Sequence, residues 1–187
     1  MFILIFVCVG SRPYPFDRLF RELDRIIEEG LVHEEVFAQT GASTYVPRHF
    51  PYQAFLSPDE FSEKMGQADI VISHGASGSI MGALSRGKKV IAVARLARHG
   101  EHINDHQVGI NESFSDEGLV LNVPDLSDLG QAVADMEAGN VSLRPWHNES
   151  PQAIPQTIDA FIQEQLLGVR RHGTEGAKAT VDREVFS

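Results

Sequence analysis

The sequence predicts an α/β fold, an open parallel sheet with helices on both faces. Three observations predict it. Short β-branched apolar runs recur along the chain, among them Ile70-Val71-Ile72 and Val90-Ile91-Ala92-Val93, and runs of this length without polar alternation suit strands buried on both sides. Segments of helical periodicity separate them, the pattern of parallel strands joined by crossovers. Turns of glycine, serine and threonine follow the strands, as at Gly10-Ser11 and Thr40-Gly41. In such a sheet these turns gather along the rim at the carboxyl ends of the strands, where ligands bind near a reversal of strand order.

Taken in order, the first strand is expected over 2–9. The opening run MFILIFVCVG is too short to span a bilayer and has no basic start, so it reads as core rather than as a signal or an anchor. A helix over 16–29 follows, with Leu19, Leu23, Ile26 and Ile27 on one face and Gly30 as its stop. Residues 36–39 make a second strand and 52–56 a short third. Ser57-Pro58-Asp59-Glu60 announces a helix running to about Met65: Ser57 caps, Pro58 suits the first helical position and Glu60 completes a capping box.

Residues 68–107 organise the rest. The strand Ile70-Val71-Ile72 runs into the turn Ser73-His74-Gly75-Ala76-Ser77-Gly78-Ser79. A helix then starts with Ser79 as its N-cap and Ile80, Met81, Ala83 and Leu84 as its apolar face. Gly87 ends it, with Lys88 and Lys89 where cations favour a helix C-terminus, and Val90 begins the next strand. After an irregular stretch over 94–104 comes a helix from Asn104 or Asp105 to Ser115. A strand over 118–121 and a helix over 125–136 complete the sheet layer. Residues 140–150 read as a linker and 155–167 as a terminal helix that packs back across the sheet. One domain is thus expected over 1–167, followed by a polar tail over 168–187 that is disordered or ordered by a partner.

Composition narrows the function. At 187 residues, with 42% hydrophobic and 22% charged, the chain is large enough for a soluble domain with a proper core. Its 16 basic and 26 acidic residues give a formal charge of -10, which argues against general nucleic-acid binding. The single cysteine, Cys8, excludes an internal disulfide, fits a reducing cytosol and, buried in a strand, is expected to be inert.

The turn from Gly75 to Ser79 has the chemistry of an anion site. Small side chains let a ligand approach the backbone, and the first helical turn offers unpaired N–H groups with partial positive charge, suited to phosphate or pyrophosphate. The same composition also serves as a plain tight connection. His74 can donate to a phosphate or hold the neighbouring loop. Arg95 and Arg98 can bind phosphate or a partner's carboxylates, against the default of a solvated arginine. Asp17 and Arg18 are expected to make helix-terminal contacts, and Trp146 to anchor packing or an interface. His99, Glu101, His102, Asp105 and His106 suggest a metal, but the pattern fixes no third ligand and no metal is expected.

Four segments together carry a resemblance: IFVCVGSRPYPFDRL (5–19), VFAQTGASTY (36–45), ADIVISHGASGSI (68–80) and GEHINDHQ (100–107). In this order they resemble the C-terminal, donor-binding half of family-28 glycosyltransferases of the GT-B type, over roughly residues 1–123. The likeness is to the small subunit of two-part enzymes. One of these adds the second N-acetylglucosamine to dolichol-linked sugars, and bacterial ones serve capsule and exopolysaccharide synthesis. GEHINDHQ leans toward the bacterial group. The resemblance implies a Rossmann-like domain binding a UDP-sugar, with the diphosphate near Gly10, Ser11 and the turn formed by Gly75, Ala76, Ser77, Gly78 and Ser79. It implies uracil against Phe55, Leu56 and Ser57, and sugar hydroxyls near the segment Asp105-His106-Gln107; Arg95 and Glu101 are counted with the UDP-sugar-binding residues.

A subunit transferring a hexose to a lipid-linked saccharide is the implied activity, inverting, without a bound metal or other cofactor. A membrane-anchored partner would recruit the acceptor and hold the chain at the inner, cytoplasmic face of the membrane. The general base cannot be named from these residues. One position departs from the family: many relatives hold the ribose with a Glu where this chain has Gly82. Self-association is a further expectation, because a half enzyme leaves an apolar face uncovered. The alternative is a nucleotide-sugar-binding or scaffolding module without turnover. A dinucleotide oxidoreductase is rejected, because the first turn reads Gly10-Ser11-Arg12-Pro13 rather than G-x-G-x-x-G.

Overall fold

Six strands form a single parallel sheet in the order β3-β2-β1-β4-β5-β6 in the computed structural model, which describes residues 3–146. They are β1 (Leu4–Cys8), β2 (Glu35–Gln39), β3 (Tyr52–Gln53), β4 (Ile70–Ser73), β5 (Lys89–Ala92) and β6 (Leu121–Asn122). Four helices connect them, α1 (Asp17–Glu28), α2 (Pro58–Gln67), α3 (Ser77–Leu84) and α4 (His106–Asp116), and α5 (Leu129–Ala138) follows β6. Short 3-10 turns at Ala97–His99 and Leu126–Asp128 precede α4 and α5. Strand order reverses between β1 and β4, which pair in parallel from Ile5 with Ile70 to Cys8 with Ser73. The crevice for a ligand lies there, at the carboxyl ends. The predicted helix over 155–167 and the tail over 168–187 lie outside the described residues.

Alternation along each strand builds two cores. Ile5, Val7, Val9, Ile70, Ile72, Ile91 and Val93 face α1 and α5 in the first cluster. Phe6, Cys8, Val71, Val90 and Ala92 face the other side, with Met65 of α2, Ile80, Ala83 and Leu84 of α3, and Ile110 and Phe114 of α4. Helices therefore cover both faces, as the uniform apolar strands require. No helix among the described residues is long and apolar enough to cross a membrane.

Local signals placed most element ends. Ser57 Oγ accepts from the Glu60 N–H at 3.3 Å while Glu60 Oε2 accepts from the Ser57 N–H at 2.8 Å, the reciprocal capping box at the start of α2. Other expectations are corrected. Ala76, not Ser79, is the N-cap of α3, and no side chain caps it; Ser79 already lies inside the first turn. Lys88 and Lys89 do serve helix C-termini, but those of neighbours: their Nζ atoms donate to Gly66 O at 2.6 Å and to Met136 O at 2.8 Å, at the ends of α2 and α5. The strand expected over 118–121 forms only at its end, because Gly118 at φ +70° first turns the chain out of α4. The described part of the expected linker packs on the domain: the Arg144 N–H donates to Gly118 O at 2.8 Å, and Trp146 sits against the second core.

Candidate functional site

The strand ends at the switch point carry the site. β1 delivers Gly10 and β4 delivers His74, side by side. Gly10 has φ +73°, and a β-carbon there would stand 3.0 Å from Cε1 and Nε2 of His74. The imidazole thus occupies the space that glycine leaves, and Gln39 at the end of β2 braces the turn by donating from Nε2 to Gly10 O at 3.0 Å. His74 is 5% exposed. Its Nδ1 lies 3.1 Å from Cys8 O. Burial, with help from Arg95, pushes the imidazole down to about 4, so it is neutral at pH 7. Burial likewise pushes the Cys8 thiol up to about 12, which leaves it without nucleophilic character.

Beyond His74 the turn enters α3. Gly75 has φ +85°, and a β-carbon on it would fall 2.6 Å from Asn111 Oδ1. Its missing side chain therefore makes room for Asn111 of α4, whereas the sequence attributes the small residues to close approach by a ligand. Ala76, Ser77 and Ser79 are half-buried and Gly78 is exposed with open space around its Cα. The uncapped N–H groups of the first α3 turn consequently face the rim, with the partial charge of a helix N-terminus.

The loop after β5 differs. Arg95, expected at the surface, is 1% exposed. Its Nη2 donates to Tyr14 O at 3.0 Å and its guanidinium stands 5.7 Å from the Phe16 ring centroid, while Nε has no partner among the described residues. Burial lowers its pKa to about 10, with Glu101 opposing, so it remains a cation. Glu101 is spent elsewhere: it accepts from Arg18 Nε at 2.9 Å and Arg18 Nη2 at 3.0 Å, and from the Leu96 N–H at 3.0 Å. It shapes the loop. Arg18 correspondingly makes a long-range ion pair, and Asp17 accepts from the N–H groups of Thr44 and Tyr45; neither makes the helix-terminal contacts expected. Asp105 accepts from the Ala97 N–H at 2.7 Å. Gln107 is 7% exposed, and its Oε1 accepts from the Arg95 N–H at 3.1 Å, leaving Nε2 as the group it can present.

His106 begins α4 and His102 lies before it, its Nδ1 against Asn104. No group of three His, Cys, Asp or Glu side chains among the described residues is placed for a metal ion. Ser11 is exposed on the first rim turn. Phe55 and Leu56 follow β3 at the sheet edge, two strands from β1. Phe55 is 52% exposed, and its carbonyl already accepts from Gln53 Nε2 at 2.9 Å. The Ser57 N–H belongs to the capping box and is spent on Glu60 Oε2.

Sequence reasoning missed Asn111. It is fully buried, packs against Gly75 and has neither amide atom hydrogen-bonded among the described residues. It lies one helical turn after Gln107, so the i, i+4 spacing from a residue already singled out was the available signal.

Residues 4–159 match the model of the glycosyltransferase family 28 C-terminal domain, most of the chain. The chain belongs to that family. Over 122 residues the family 28 domain is 31% identical to the UDP-N-acetylglucosamine transferase subunit ALG13 of Mus musculus, covering 60% of this chain and 10% of that protein. The chain thus spans about a tenth of the length of the curated relatives it matches. Among solved structures, the NMR solution structure of ALG13 superposes with a TM-score of 0.54 at 18% identity, over 87% of this chain and 96% of that one. MurG of Acinetobacter baumannii gives 0.56 at 14% identity, over 84% and 49%. At such identities these likenesses establish the fold, that of the C-terminal half of a GT-B glycosyltransferase.

Proposed function

We propose that the chain is the donor-binding subunit of a glycosyltransferase that uses a UDP-sugar to extend a lipid-linked saccharide with a hexose in polysaccharide biosynthesis. It works with a membrane-anchored partner at the cytoplasmic face of the membrane. One observation carries this reading: in a family 28 domain, the α3 N-terminus, which no side chain caps, follows β4 directly at the switch point with β1, and the buried Arg95 cation lies near enough to His74 to act on its charge. That is a site for a diphosphate. The name of the relative, a UDP-N-acetylglucosamine transferase subunit, supports both the UDP-sugar donor and the dependence on a partner. The GEHINDHQ segment supports the polysaccharide context.

Departure of UDP is assisted by the α3 N–H groups, without a tightly held metal. The acceptor hydroxyl needs a base. Three carboxylates near the switch point, Asp17, Glu101 and Asp105, are engaged by N–H or guanidinium donors of the chain itself, which supports a base supplied by the partner.

Saturation-transfer NMR with UDP, ADP and NAD tests the donor site. A UDP-selective signal is expected. Gly78→Asp should weaken it at least tenfold with no loss of thermal stability, because the new carboxylate enters open space at a helix N-terminus yet repels a diphosphate. Sugar transfer should require membranes carrying the partner. UDP binding without transfer in their presence would favour a binding module, and no UDP signal under either condition would overturn the reading.

A further inference from the structure

Asn111 of α4 is fully buried, and among the described residues neither end of its amide has a hydrogen-bond partner. A carboxamide in that state has given up its bonds to water and gained none in return, a cost that an apolar side chain in the same place avoids. What it faces is Gly75. Its Oδ1, Cγ and Nδ2 stand 2.6, 3.1 and 3.2 Å from where a β-carbon on Gly75 would lie. Gly75 is held at φ +85° and leads directly into Ala76, the N-cap of α3, which no side chain caps. An unspent amide of α4 and the unspent N–H groups of a helix N-terminus therefore meet at one glycine, and they are not bonded to each other.

The two sides differ in how far they can give. α4 is anchored: Ile110 and Phe114 pack on the second core, and Gln107, one helical turn before Asn111, accepts from the Arg95 N–H at 3.1 Å. The turn is the freer side, with glycine at 75 and again at 78, where open space surrounds the chain. A small shift of the turn brings its backbone into reach of the amide.

We propose that Asn111 is a positioning residue of the donor site: when a diphosphate engages the α3 N-terminus, the turn settles onto Asn111, whose amide bonds the backbone beside Gly75 and holds the first α3 N–H groups on the ligand. The proposal rests on the donor-site reading above. Asn111 is buried, so it touches no ligand and acts through Gly75. Its amide is unpaired in the arrangement of the turn seen here and paired in the engaged one, and that difference between states is what it adds to affinity. The same amide lowers the stability of the unengaged chain. A side chain that only fills space would not set stability and affinity against each other.

The test uses the full chain labelled with 13C and 15N, with UDP as the probe. Backbone amide shifts report binding, and the side-chain Cγ and NH2 resonances of Asn111 report its role. UDP is expected to move the Asn111 side-chain resonances downfield, as a new hydrogen bond does. Asn111→Val and Asn111→Thr form the second arm, because the two side chains share a shape and differ by a hydroxyl. Asn111→Val should melt at the higher temperature yet bind UDP about fivefold more weakly than Asn111→Thr, with wild type the tightest of the three. UDP binding that leaves the Asn111 side chain unmoved overturns the proposal and leaves the donor site standing. So does equal UDP affinity in the Val and Thr variants, which reduces Asn111 to packing. If UDP moves no backbone amide in the chain, the donor site and this proposal fall together. The wild-type spectra decide the question if neither variant folds.

Discussion

Two rim loops flank the switch point, and they use their polar groups in opposite ways. The loop after β5 turns them inward: Glu101 holds Arg18 and the Leu96 N–H, Asp105 holds the Ala97 N–H, and Gln107 holds the Arg95 N–H. The turn after β4 leaves them open: the α3 N-terminus has no side-chain cap, and Asn111 beneath it has no hydrogen bond among the described residues. In sequence both stretches are polar and both invite a ligand. Polarity in a rim loop is thus a weak sign of binding, and polarity that the fold does not consume is a strong one, because buried polar groups are otherwise paired.

Glu101→Ala should break the comparison most visibly. Arg18 loses its carboxylate and the Leu96 N–H loses its acceptor; with the Arg18 side chain 27% exposed, the cost should be about 3 kcal/mol, near the lower end for disrupting a buried pair. Urea unfolding reads it, and a loss under about 1 kcal/mol would mean that the loop does not depend on this pair. UDP affinity of the folded fraction should change less than threefold.

Acid comes next. The His74 pKa is lowered to about 4 in the folded chain from 6.5, so between these values the unfolded state binds more protons and stability rises with pH. The contribution is complete above pH 6.5 and is lost as the pH falls to about 4, amounting to about 3 kcal/mol at most. The pH dependence of unfolding should flatten by up to one proton in that window in His74→Gln. An unchanged slope would place a solvated imidazole at this position.

Gly75→Ala should cost about 2 kcal/mol, combining backbone strain at φ +85° with the collision at Asn111 Oδ1. Adding Asn111→Ala should recover the collision but not the strain, so the double mutant should be more stable than the sum of the single changes implies. Strict additivity would show that Asn111 does not fill the space glycine leaves. Arg98→Ala should do least. Arg98 is exposed and bonded to the neighbouring His99, so its loss should move stability by less than about 0.5 kcal/mol and UDP affinity by less than twofold. A tenfold loss of affinity would bring the outer loop into the site after all.

How much of this was legible depends on range. The capping box at Ser57 and Glu60, the Gly30 stop after α1 and the strands at Ile70 and Val90 are local, and residues within a turn of one another decide them. Gly10, His74 and Gly75 were legible as rim residues because strand ends in a parallel sheet converge. The partners of Arg18, Lys88 and Arg95 were not, since Glu101, Gly66 and Tyr14 lie far away along the chain and nothing in a window of sequence brings them near. Arg95 is the plainest case. Its place directly after a buried strand showed that it stood on the rim, but its burial follows from Tyr14 and Phe16 ahead of α1 and Gln107 of α4 closing over it from two other segments.

By itself, then, the sequence determined the layer order, both cores and the rim on which a ligand must sit, because periodicity and turn chemistry act over a few residues and parallel crossovers have one hand. Only the tertiary structure decided which rim groups remain unspent. A hydrogen-bond donor is available to a ligand when no partner from elsewhere in the chain reaches it, and that is settled by packing between segments that sequence proximity does not connect.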